Sequence, residues 1–468
     1  MLQTLKNAWR TPDIRQKLVF VLFILLLYRV GAVIPVPFVD AGNFSSAFGG
    51  TILDYMNTLS GGALSTATLF ALGISPYITA SIVIQLLCVV FPNKLGGLSK
   101  DEAGKKKLNN ITRFVTVALA LVTAIGYYML LANNNMIVSY ACPGGGSSWF
   151  LYAATVVICF CAGASLVMWL AEKINENGIG NGISLILFAN IVSTLVSFVI
   201  QLGRVVYYAI LGQSTVGMKI LFGSTSLLFA LLMLAITLGL TVFVIFITGS
   251  ERRIPVQYAK RVVGRKMMGG QSSNLPIKLN MTGVMPVIFA SSIISLPTTI
   301  MTLAGASTSG GAYRFFAPTG WFYPIMMFVL IIGFAYFYVN ISFDPVEVAN
   351  NLKRQGGMIP GIRQGRPTSD YIRKILNKIT LIGALFLGVI AILPIIASPL
   401  VIEPLVELFV KDYVGSYYSS TYAASVAQSL TSNFTFGGTS LLIVVGVALE
   451  TFRELEAQLT MRNYKGFL

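Results

Sequence analysis

The strongest constraint on this chain is a recurrence. Stretches of about 20 mostly apolar residues, the first being LVFVLFILLLYRVGAVIP at 18–35, return along its whole length. A run of that length spans the hydrocarbon of a bilayer once it is helical. In lipid it has to be helical, because no water is available to satisfy an open backbone. Candidate spans fall near 18–35, 74–91, 111–132, 150–171, 183–203, 220–247, 281–303, 321–342, 377–399 and 434–451, ten in all. The composition agrees: 55% of the residues are hydrophobic and only 11% charged, against about a quarter charged in soluble domains. The basic, apolar N-terminus lacks a small-x-small cleavage site, so it reads as a retained first span rather than a signal peptide.

Charge orients the spans. Of the 33 Lys and Arg residues, Arg204, Lys219, Arg314 and Lys411 fall on one set of connecting segments. Arg29, Arg113 and Lys378 lie within or at the ends of spans, and all the rest fall on the other set. The basic side faces the cytoplasm, which puts both termini there. The net charge of +16 is mostly this bias, so it does not by itself imply nucleic-acid binding.

Ten spans with both ends inside divide into two sets of five, and an odd number inverts the second set relative to the first. Inverted repeats of this kind place a site between the halves, near the midplane. The expected fold is therefore all-α and polytopic. Its N-terminal half covers residues 1–203 and its C-terminal half 204–468.

The interior lacks the groups that several functions require. There is no His, which removes the commonest general base, metal ligand and proton shuttle. Arg29 is the one ionisable residue clearly inside a span, and no Asp or Glu lies near the middle of any. A proton-coupled carrier or an intramembrane protease would need such a carboxylate. The cysteines Cys88, Cys142, Cys159 and Cys161 have no metal-site or disulfide spacing. The stretch GGLSKDEAGKKKLNN misses the phosphate-loop spacing. No catalytic, cofactor-binding or metal site is expected, and work across the membrane has to be powered by another protein or by the membrane potential. A Na⁺-coupled carrier of a small solute, built on backbone carbonyls and hydroxyls, survives this test as an alternative.

Two features remain to be explained. Between the first two spans, SGGALSTATLFALG at 60–73 is too short and too rich in Gly, Ser and Thr to cross a bilayer, and reads as a half-length helix. On the cytoplasmic side, segments 249–280 and 343–376 are long and basic. Basic residues alone would follow from the positive-inside rule and from anionic headgroups. The alternating RRIPVQYAKR, strand-like, and the proline-stiffened IPGIRQGRP ask for more. Docking onto a large anionic partner such as ribosomal RNA would use Arg and Lys in this way.

These stretches carry a resemblance. RVGAVIPVP, SGGALSTATLFALGISPYITASIVIQLL, MWLAEKINENGIGNGISLILFA, RRIPVQYAKR, LPIKLNMTGVMPVIFASSI, IPGIRQGRPTSDYI and FGGTSLLIVVGVALE are similar, in order, to the SecY family of protein-conducting channel subunits. They cover nearly all the spans, and the likeness is weak at 133–149 and 400–433.

The resemblance implies a channel that passes unfolded secretory polypeptide across the bacterial cytoplasmic (inner) membrane. Signal and transmembrane helices are released into membrane lipid through a lateral gate. It makes residues from about 51 to 73 a plug, with Gly61, Gly62, Ser65 and Thr66 supplying its closely packing surface. It places an aliphatic pore ring at Ile74, Ile78, Ile183, Leu187, Ile288 and Ile443. Polar gate positions fall at Gln85, Thr123 and Asn280, where Thr123 replaces a commonly larger polar residue. Arg252, Arg253, Arg265, Lys266 and Arg363 match a surface that docks the ribosome and the SecA motor ATPase. The implied partners are SecE, SecG, SecA, the ribosome, signal peptides and nascent polypeptides.

Overall fold

The computed structural model describes residues 2–40, 52–91, 102–134, 136–138, 149–210, 224–258, 261–263, 266–268, 272–303, 315–316, 320–397 and 437–465. The outside segment 400–433, most of 133–149, and Arg265 lie outside the described residues.

Every candidate span contains a helix. In chain order these are α2 (Pro12–Gly31), α4 (Ser75–Val90), α5 (Glu102–Asn133), α6 (Trp149–Asn177), α7 (Gly182–Ile210), α8 (Ser224–Gly249), α9 (Met285–Leu303), α10 (Phe322–Ser342), α12 (Arg366–Ala397) and α13 (Gly437–Lys465). The helices within Ala103–Asn133, Trp149–Asn177, Phe322–Arg354 and Arg366–Ala397 are each long and apolar enough to cross a membrane. Shorter helices are α1 (Leu2–Arg10), α3 (Ile52–Leu59) and α11 (Pro345–Arg354).

The helix ends follow local chemistry. Thr11 is extended at the start of α2, and Pro12 follows at the first helical position, where its missing N–H costs nothing. Asp344 caps α11, its side chain accepting from the Val346 N–H at 2.8 Å. Pro345 and Glu347 then open the helix, and Lys353 and Arg354 close it. That is the charge order the helix dipole favours.

The apolar faces meet in one large cluster. It draws on α2, α4, α6, α7, α8, α9, α10, α12 and α13. In this arrangement α9 packs against α4 and α5 as well as against α10 and α12, and α13 packs against α7, so α9 forms one of two seams between the first five spans and the rest. A smaller cluster joins α5 and α6 to residues 36–39 and 64–72.

On the basic side the two long segments are tied into one sheet. β1 (Glu251–Tyr258) pairs antiparallel with β4 (Ser272–Lys278), Arg252 lying opposite Ile277 and Val256 opposite Ser273. The other edge of β1 pairs with β5 (Gly357–Met358), contributed by the second segment. A separate hairpin joins β2 (Arg261–Val263) to β3 (Lys266–Met268). Beneath the three-stranded sheet, Ile254, Val256 and Ile277 pack with Leu352, Ile359, Ile372, Ile375 and Leu376. The alternation in RRIPVQY thus does form a half-buried strand.

Candidate functional site

The small-residue segment differs from expectation in where it is helical. The helix is α3, Ile52–Leu59, and Ser60–Ile74 runs in turns. The reason is a glycine. Gly61 is left-handed (φ 68°), its N–H bonds the Thr58 carbonyl, and the Gly62 N–H reaches back to the Asn57 carbonyl at 2.9 Å. This is the pattern by which a helix stops on a C′ glycine. The Asn57 side chain extends the closure by accepting from the Ser65 N–H at 2.9 Å, while the Ser65 and Thr66 hydroxyls donate to the Gly62 carbonyl.

The segment is seated on the first spans. The Leu69 N–H bonds the Ile34 carbonyl at 2.9 Å, and the Val36 N–H bonds the Ala67 carbonyl at 3.2 Å. The buried Tyr127 hydroxyl of α5 donates to the Leu64 carbonyl. On α6, Gly163 leaves a notch that the Leu69 carbonyl fills. At the other end the fully buried Asn190 of α7 donates its amide N–H groups to the Leu59 carbonyl at 2.7 Å and to the Tyr28 hydroxyl at 2.8 Å. Arg29 donates to the Gly61 carbonyl at 3.4 Å and to the Ser193 hydroxyl at 2.6 Å.

Next to this segment lie the aliphatic residues. Ile74, Ile78, Leu187, Ile288 and Ile443 are 1–3% exposed and belong to one apolar cluster, with Ile183 packed against it. They come from or border four separate spans, α4, α7, α9 and α13. Ala63 and Phe70 of the turn-rich segment belong to the same cluster. Such a lining offers no ligand to ions and repacks around varied side chains.

The basic surface is solvent-facing. Arg252 and Arg253 are exposed on β1, with Arg253 paired to Glu251 at 2.8 Å. Arg363 is exposed on a turn held between the left-handed Gly361 and Gly365, and Gln364 ties that turn to the Gly357 carbonyl at 3.2 Å. Lys266 opens β3. At the end of β4, burial pushes the Lys278 ammonium below its ordinary pKa. The positive charge of Arg453 adds to the shift, and the Glu450 and Glu251 carboxylates oppose it.

Comparison with known proteins decides the family. The SecY family model matches residues 68–452. The protein translocase subunit SecY of Streptomyces galbus is 42% identical over 482 residues, covering 100% of both chains. The chain belongs to the SecY family.

Two solved structures share the fold at low identity. One, concerned with the SecY plug domain that stabilises the closed translocation channel and maintains a membrane seal, has a TM-score of 0.57 at 18% identity. It covers 94% of this chain and 91% of its own. The other, canine Sec61 in a ribosome–channel complex, has a TM-score of 0.57 at 17% identity with the same coverage. The SecY relatives give no support to the Na⁺-coupled carrier.

Within this SecY-family fold the three positions expected at the gate are not joined to one another among the described residues. Gln85 donates to Ser81 one turn away at 3.3 Å, and Thr123 to the Leu119 carbonyl at 2.9 Å. The Asn280 side-chain oxygen accepts from Thr282 at 3.3 Å. The seam is therefore apolar contact flanked by locally satisfied polar groups. Sequence reasoning isolated Arg29 as the one deep charge but did not single out Asn190, Ser193 or Tyr28. A lone amide in LILFANIVS reads as an ordinary interhelical bond until its partner carbonyl is known.

Proposed function

We propose that this multi-pass membrane protein is the protein-conducting channel subunit of a translocase. Unfolded secretory chains cross between its two halves, 1–203 and 204–468, and apolar signal helices leave through the α4/α5–α9 seam into lipid. The observation that carries this reading is the aliphatic set Ile74, Ile78, Leu187, Ile288 and Ile443. Spread over separate spans, these residues are buried together beside a turn-rich, small-residue segment.

Residues 51–73 act as the plug, the aliphatic set with Ile183 as the pore ring, and Gln85, Thr123 and Asn280 as flanks of the gate. The exposed Arg252, Arg253 and Arg363, with Arg265 and Lys266, dock a motor ATPase of the SecA kind or the ribosome. SecE and SecG clamp and flank the channel. The bacterial inner membrane, with both termini cytoplasmic, is the setting that the charge distribution supports.

The test is site-specific photocrosslinking from position 288 in proteoliposomes, with a secretory chain stalled in transit. Signal-dependent crosslinks to the mature part of that chain are expected. Their absence, despite confirmed insertion and partner binding, would reject the channel path.

A further inference from the structure

Resting on the channel reading, we propose that Tyr28, Arg29, Asn190 and Ser193 form a latch that holds the plug by its main chain. The grip is on two carbonyls at the end of α3, those of Leu59 and Gly61. The Asn190 amide is fixed in orientation, because a carbonyl only accepts and so must face its N–H₂ end. That orientation leaves the Asn190 Oδ1 buried with no hydrogen-bond partner among the described residues. A fully buried amide that satisfies a neighbouring segment at the expense of its own oxygen is costly to keep. What it secures is the contact with the plug.

Arg29 makes no ion pair among the described residues. Its guanidinium bridges the Gly61 carbonyl to Ser193, and so links α2, the plug and α7. Gly61 is the residue that lets the latch close. A Cβ there would lie 2.7 Å from an Arg29 terminal nitrogen and 2.8 Å from the Asn190 Oδ1.

The latch also has a location. α2 and α7 both belong to the first half, as does Tyr127, which holds Leu64. The seam helix α9 touches α3 by packing. The polar grip on the plug therefore lies wholly in the first half, and the seam helix meets the plug by apolar packing. Weakening the latch lowers the seal of the idle channel while the route for a signal-bearing chain stays intact.

The experiment compares the parent chain, Asn190→Leu and Gly61→Ala, each with its partner subunits in proteoliposomes. It reads ion leak with no polypeptide present, transport of a secretory chain, and thermal stability. Asn190→Leu leaves the Leu59 carbonyl and the Tyr28 hydroxyl without their donor, so its melting temperature falls. Idle leak with transport retained is the readout that a merely structural residue would not move. The one hydrogen bond to the plug that Asn190→Leu removes corresponds to about a fivefold shift of the closed–open balance, so the idle leak rises about fivefold while transport persists. Gly61→Ala raises the leak by crowding the same groups.

Idle leaks equal to the parent's in both variants overturn the latch. Should Asn190→Leu fail to fold, Gly61→Ala decides alone between the same two results. A parent protein that moves no secretory chain counts against the channel reading instead, since the latch is read from leak without any chain.

Discussion

At the scale of single residues, this protein is organised by close approaches that only hydrogen at Cα permits. Gly163 admits the Leu69 carbonyl against α6, and Gly182 admits the Ala171 carbonyl where α7 begins. Gly163→Ala drives a methyl group into main chain that has no rotamer with which to yield. Overpacking of that kind costs about 1–3 kcal/mol, so the variant should melt at a lower temperature in detergent micelles. An unchanged melting temperature would mean that residues 60–73 adjust freely. Residue types were legible in the sequence where they were unusual for their setting. Arg29 is a charge in an apolar run, and Gly61, Gly62, Ser65 and Thr66 are small residues where a span would need bulk. What each of them meets was not legible, because Arg29 and Ser193 are 164 positions apart. No local pattern encodes a partner at that distance.

Elements were legible in proportion to their length. Each long apolar run contains a helix, since lipid leaves a backbone no alternative. The half-length helix expected at 60–73 was misplaced, because composition marks the small-residue stretch while the helix, Ile52–Leu59, stops before it, at the Gly61 cap. The strand β1 announced itself by alternation, but its partner β5 is two residues long and carries no period to detect. That short pairing makes one platform of two segments distant in sequence. Arg363 stands exposed on it, on a turn fixed by main-chain geometry rather than by its own side chain. Arg363→Glu should therefore leave the melting temperature within about 0.5 kcal/mol of stability and yet abolish transport that depends on a motor or ribosome. Normal transport rates in that variant would remove the docking role.

For the whole molecule, the question is what seals an idle channel. In the proposed reading the latch holds the plug and the aliphatic set closes the path, with Ile78 on α4 and Ile288 on α9 contributed from either side of the seam. Replacing both with Gly removes aliphatic bulk that a dewetted closure needs. The double variant should conduct small ions in planar bilayers, and more than either single change. A bilayer that stays tight would place the seal elsewhere.

The sheet adds something of a different kind. Its base is pinned where the Leu279 N–H bonds the Ser250 carbonyl at 2.9 Å, and Gly383 of α12 lets that same Leu279 main chain press in without a side chain between. From there five residues, turning at the left-handed Gly283, lead into the seam helix α9. The platform is thus a lever with a short arm. In the proposed channel, torque applied by whatever grips the basic strands would arrive at a helix that touches both halves, so a partner would not need to enter the membrane to work the gate.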